Sequence, residues 1–168
     1  MFIFALSGLF LILAMGILLH FCYGIAKNNK VLALIFPASS SVWEHTKTAI
    51  LPAFIWAIVM ACLKVPNAFF ACFVGILVLY IALPALFYLI NLITKKETIV
   101  GDIVAFVLAS ALAMFVSYLL FKVALPEICK LLGIIGLILL VFVYVILYSL
   151  HHQDLFLKIQ MIIKKKVY

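Results

Sequence analysis

Residues Ala68 to Ile93 read AFFACFVGILVLYIALPALFYLINLI, 26 consecutive positions without a charge. As a helix rising about 1.5 Å per residue, that run is about 39 Å long, more than the roughly 30 Å hydrocarbon core of a bilayer. Strands and buried core helices are far shorter, so the run predicts a membrane-spanning helix. Pro84 lies inside it, which membrane helices tolerate. The sequence on either side repeats the pattern. Spans are expected at 2–26, 41–63, 68–93, 99–121 and 128–150. The second is apolar from Thr48 to Leu63 and, with Pro52 inside it, reaches spanning length by starting at Ser41. Phe2–Ala26 lacks the basic n-region and small-residue cleavage pattern of a signal peptide and reads as a retained helix. The fold class is therefore all-α: an integral membrane helical bundle of about five transmembrane helices, a single membrane domain over 1–168.

Composition agrees. Of 168 residues, 70% are hydrophobic and 10% charged, with a mean hydropathy of +1.44. Soluble domains carry roughly 45–50% apolar and about 25% charged residues. These values exclude a soluble enzyme, a disordered chain and a secreted disulfide scaffold. The four cysteines, Cys22, Cys62, Cys72 and Cys129, form no C-x-x-C pair and read as buried small hydrophobes. Ala105, Ala109, Ala113 and Ser117 recur every four residues and predict a smooth helix-packing seam.

All 12 basic residues are Lys, against five acids, for a net charge of +7. They flank apolar runs, and Arg, the side chain best suited to bidentate phosphate recognition, is absent, so no nucleic-acid partner is expected. With five spans, Lys64, Lys122 and Lys130 share one side of the membrane and the other nine lysines share the opposite side. The positive-inside rule then puts the N-terminus outside and the C-terminus in the cytoplasm. Val31–Phe36 is an apolar hexamer too short to cross, to be placed either re-entrant or in the interface. In the 151–168 tail, Leu155, Phe156, Ile159, Ile162 and Ile163 form a stripe beside Lys158 and Lys164, Lys165 and Lys166. That pattern reads as an interfacial helix on the anionic inner leaflet, with a frayed terminus as the alternative.

This topology gathers the polar exceptions at the cytoplasmic face. His20 and Tyr23 end span one, Glu44 and His45 open span two, Asn91 ends span three, and Asp102 opens span four. His151, His152 and Asp154 follow span five. Intramembrane polar groups turn toward a bundle interior or cavity, so these helix ends define a candidate pocket. Three chemistries suit it. His20, His45, His152 and Glu44 supply the N and O ligands of a zinc-type site, making a divalent transition metal the cofactor to look for. Glu44 with His45 supplies a catalytic acid–base pair for a membrane-associated small molecule. Histidines beside carboxylates also suit a small transporter, or transporter-accessory subunit, that recognises a solute. Plainer roles stand beside these: Ser41 and Glu44 as a capping box, Trp43 in an interfacial aromatic belt, Asp102 on a helix dipole, His20 snorkelling. Together they describe a purely structural membrane partner.

The run Ser39-Ser-Ser41-Val-Trp43-Glu44-His45-Thr-Lys47 resembles the N-x-S-x-W-E-H-x-K signature of a family of small bacterial membrane proteins of unknown function. The likeness extends to Leu18-Leu-His20-Phe-Cys-Tyr23, and His152-Gln-Asp-Leu155-Phe156 is similar to the family's H-x-P-L-F ending. Ser39 stands where Asn is usual and Asp154 where Pro is usual, and the acid expected after Leu155-Phe156 is missing. The resemblance implies a bacterial cytoplasmic-membrane protein and one constellation of His20, Trp43, Glu44, His45, Lys47 and His152. It implies no reaction.

Overall fold

The computed structural model describes residues 1–22 and 42–151, with the side chains of 43–45 and 147–151 excepted. Five α-helices and no strand occur among these residues: α1 (Phe2–Phe21), α2 (Val42–Cys62), α3 (Ala68–Thr94), α4 (Ile99–Lys122) and α5 (Glu127–His151). These helices coincide within a residue or two with the ranges expected at 41–63, 68–93, 99–121 and 128–150, and α1 with the described part of 2–26, whose last four positions lie outside the described residues. At the end of α1 the Cys22 N–H turns back onto the Leu19 carbonyl at 3.2 Å, closing the last turn. Four helices, α1, α3, α4 and α5, are long and apolar enough to cross a membrane. The described apolar stretch of α2, Thr46–Cys62, is shorter. Both α2 and α3 continue as helix through their prolines, Pro52 and Pro84.

Helix α3 is the hub, packed against α2, α4 and α5, while α1 closes the bundle against α2 and α4. Small residues set these approaches, as they must where lipid provides no hydrophobic drive between helices. On α4, Ala105, Ala109, Ala113 and Ser117 are all buried, which is the expected seam. It meets α3 at Gly75, where an added Cβ would lie 3.2 Å from the Ala113 carbonyl oxygen and closer still to the Ser117 hydroxyl. The Ser117 hydroxyl donates to the Ala71 carbonyl at 3.0 Å, tying the two helices together in the core. Gly8 and Gly16 on α1 admit Trp56 from α2 and Phe106 from α4. Gly133 and Gly136 seat α5 on Phe69, Phe70 and Phe73 of α3.

These contacts fix direction. Gly8 meets Trp56 and Met114, whereas Gly16 meets Thr48 and Phe106, so α1 runs antiparallel to both α2 and α4. Gly133 meets Phe70 and Gly136 meets Phe73, so α5 runs parallel to α3. The ends of α1, α3 and α5 therefore share one end of the bundle with the starts of α2 and α4. Outward-facing positions such as Phe10, Ile81, Leu112 and Phe142 are exposed and apolar, as on a lipid-facing surface. The cysteine reading needs correction: Cys72 is buried, but Cys22 and Cys129 are half-buried and Cys62 is exposed. In a bilayer an outward thiol still meets apolar surroundings, so periodicity does not force it inward.

At the opposite end, 63–67, Asn67 serves structure. Asn67 adopts the left-handed conformation (φ 57°) and its amide donates to the Leu120 and Val123 carbonyls at 3.2 and 2.6 Å. Asn tolerates that backbone region better than most residues do. Asn67→Ala should cost about 2–3 kcal/mol, two hydrogen bonds plus backbone strain. Asn67→Gly, which keeps the backbone relaxed, should lose about 1 kcal/mol less. Equal midpoints for the two variants in detergent unfolding would remove the backbone part of this account.

Candidate functional site

The bundle end shared by the start of α2 and the end of α3 carries an unusual density of buried polar side chains. Along α2, Thr46, Lys47, Thr48, Ala49 and Ile50 are all buried, so the helix is enclosed on every side there. Lys47 is only 5% exposed, about 7 Å into the helix at 1.5 Å per residue. A buried ammonium is costly unless paired and hydrogen-bonded. Lys47 is not without a partner, and neither are Thr46, Thr48, His20 and Asp102.

Two neighbouring helices add to this end. Asn91, one turn before the end of α3, is 7% exposed, and its side-chain Oδ1 has no hydrogen-bond partner among the described residues. Asp102 lies half-buried in the first turn of α4, where the helix dipole favours a carboxylate. That turn is capped by Thr98, whose hydroxyl accepts from the Gly101 N–H at 3.1 Å. Pro52 has no N–H to give the Thr48 carbonyl, and Gly16 lets α1 approach that oxygen closely. The start of α2, the end of α3 and the start of α4 thus carry a cation, two hydroxyls, an acceptor amide and a carboxylate.

A family model described as "Family of unknown function (DUF6512)" matches residues 2–163. The chain belongs to the DUF6512 family. No curated protein and no solved structure matches it. Membership agrees with the expectation of an uncharacterised family.

Of the polar residues that sequence singles out at this end, the structure of this DUF6512 protein describes four with their side chains: His20, Lys47, Asn91 and Asp102. His20 is exposed near the end of α1, Lys47 and Asn91 are buried, and Asp102 is half-buried. Trp43, Glu44 and His45 lie on the first turn of α2, but their side chains lie outside the described residues. Tyr23, Val31–Phe36, His152, Asp154 and the tail with Lys164, Lys165 and Lys166 also lie outside them. Among the described residues no group of three or more His, Cys, Asp or Glu is placed to hold a metal.

Periodicity gave no warning of a second set. Trp56 Nε1, the Tyr80 hydroxyl and the Ser110 hydroxyl are buried without a hydrogen-bond partner among the described residues. They lie on α2, α3 and α4, about 16–21 Å from the polar end at 1.5 Å per residue. Single Trp, Tyr and Ser residues are ordinary in apolar helices, so only packing distinguishes these from lipid-facing ones.

Proposed function

We propose that this DUF6512 protein is a multi-pass protein of the bacterial cytoplasmic membrane with a binding pocket at the cytoplasmic end of its bundle. The pocket takes the polar, negatively charged head of a membrane-associated small molecule. The burial of Lys47 carries this reading: a lysine only 5% exposed, between two buried threonines, places a cation inside the bundle end rather than at its surface. Asn91 offers an acceptor for a ligand donor, and Asp102 balances the charge. Glu44 and His45, one turn before Lys47, are the acid–base pair for any chemistry on that ligand. With His20 and His152 they are also the ligand set for a divalent metal such as zinc.

The topology in this reading is five spans, N-terminus outside and C-terminus cytoplasmic, with nine of 12 lysines on the inner side. The 21 residues of α2 reach about 31 Å at 1.5 Å per residue, enough to cross. The Lys164–Lys166 run holds the tail to anionic lipid. A second reading, a small transporter or accessory subunit, draws on the buried Trp56, Tyr80 and Ser110 groups, which would extend a polar path from the pocket into mid-membrane.

Mass spectrometry of small molecules and elemental analysis of metals, both on detergent-purified protein, test these readings. The pocket predicts an anionic amphiphile that co-purifies with the wild type. No amphiphile above a control membrane protein overturns it. Equal metal content in wild type and His45→Ala removes the metal version.

A further inference from the structure

A second site of different character lies on the flank of the bundle. A cavity of about 750 Å³ separates α2 from α5, with Phe54, Ala57 and Ala61 on one wall, Leu137 and Val141 on the other, and Phe69 of α3 at one end. Its volume falls in the range of roughly 300–1,000 Å³ typical of pockets that bury one small molecule. Its lining is almost wholly apolar. We propose that this groove holds the acyl chain of a phospholipid from the leaflet at the 63–67 end.

Three observations select that occupant. First, the α2 wall runs from Leu51 to Cys62, about 17 Å at 1.5 Å per residue. That is close to half of a hydrocarbon core of roughly 30 Å, the depth of one leaflet, whereas a partner helix would seek contact across the full span. Second, the groove continues onto exposed apolar side chains, Ile58, Ile138 and Val145, on the surface that faces lipid. Third, Lys64 stands exposed two residues beyond Cys62, at the height where the phosphate of such a lipid sits. The small Ala57 and Ala61 leave the wall hollow, while Gly133 and Gly136 hold α5 against α3. The groove is independent of the pocket around Lys47, and either can fail without the other.

Full-length protein in phosphatidylglycerol vesicles, doped with phosphatidylglycerol carrying a diazirine in its acyl chain, tests the proposal. After irradiation, cross-links mapped by mass spectrometry should concentrate on Ala57, Ala61, Leu137 and Val141. The expected excess is at least about fivefold over the exposed Leu108, Leu112 and Phe115 of α4, which report ordinary lipid contact. Ala61→Phe, which fills the groove, should remove that excess and leave the α4 labelling unchanged. Val141→Phe fills it from the other wall should the first variant not fold. Even labelling of all apolar faces, or an excess that survives both fillings, would overturn the assignment.

Discussion

Gly133→Ala should release α5 from the bundle. A Cβ at that position would fall 2.4 Å from the Phe70 backbone nitrogen, 2.6 Å from the Phe69 carbonyl carbon and 2.6 Å from Phe70 Cα. All three atoms are main chain, so no rotamer change relieves the clash and the helices must separate. Alanine gains up to about 1 kcal/mol in helix propensity over glycine. Overpacking typically costs 1–3 kcal/mol, and a clash with backbone belongs at the upper end or beyond. The expected net loss is about 2 kcal/mol or more. At Gly136 the corresponding clash is with the Phe73 ring, at 2.5–2.7 Å, and a ring can turn aside. Gly136→Ala should therefore cost about 1 kcal/mol or less. Unfolding titrations in mixed micelles check the ranking, and equal losses would show that α5 is not seated on the α3 backbone.

Lys47→Met should empty the polar pocket. Methionine keeps most of the length and volume of the stem but carries no charge, so the helix stays packed while the ammonium is lost. The co-purified anionic amphiphile should fall at least about tenfold, equivalent to about 1.4 kcal/mol of binding. Lys47→Arg, which keeps the charge, should retain a substantial share. Breaking a buried charge pair from one side costs about 3–5 kcal/mol, so unfolding midpoints must accompany the binding measurement. A destabilised Lys47→Met protein with undiminished amphiphile would make Lys47 a structural residue.

Hydropathy made the helices legible because in lipid a span is defined by what it lacks, and 26 uncharged residues around Pro84 admit one interpretation. The Ala105–Ser117 seam was legible for a related reason: small residues at every fourth position serve close approach and little else. The glycine contacts were less so. Gly133 and Gly136 sit in a run as apolar as its neighbours, and nothing in composition says that Gly133 lies on another helix's backbone. In the site, Lys47, Asp102 and Asn91 stood out because polar side chains near helix ends are rare here. The depth of Lys47 did not, since a lysine one turn earlier would be an ordinary membrane-flanking charge. Trp56, Tyr80 and Ser110 were hidden because their side chains suit lipid contact and core alike.

Side-specific labelling at position 46 tests the central claim, a pocket open to the cytoplasm, most directly. Thr46 is 3% exposed and next to Lys47, and Thr46→Cys is a near-isosteric change. With Cys22, Cys62, Cys72 and Cys129 replaced by Ser, that cysteine would be the sole thiol. The account predicts that a small cationic methanethiosulfonate reagent modifies it in inside-out vesicles and leaves it unmodified in right-side-out vesicles. A folded protein whose Cys at 46 reacts from neither side, or only from the outside, would contradict it.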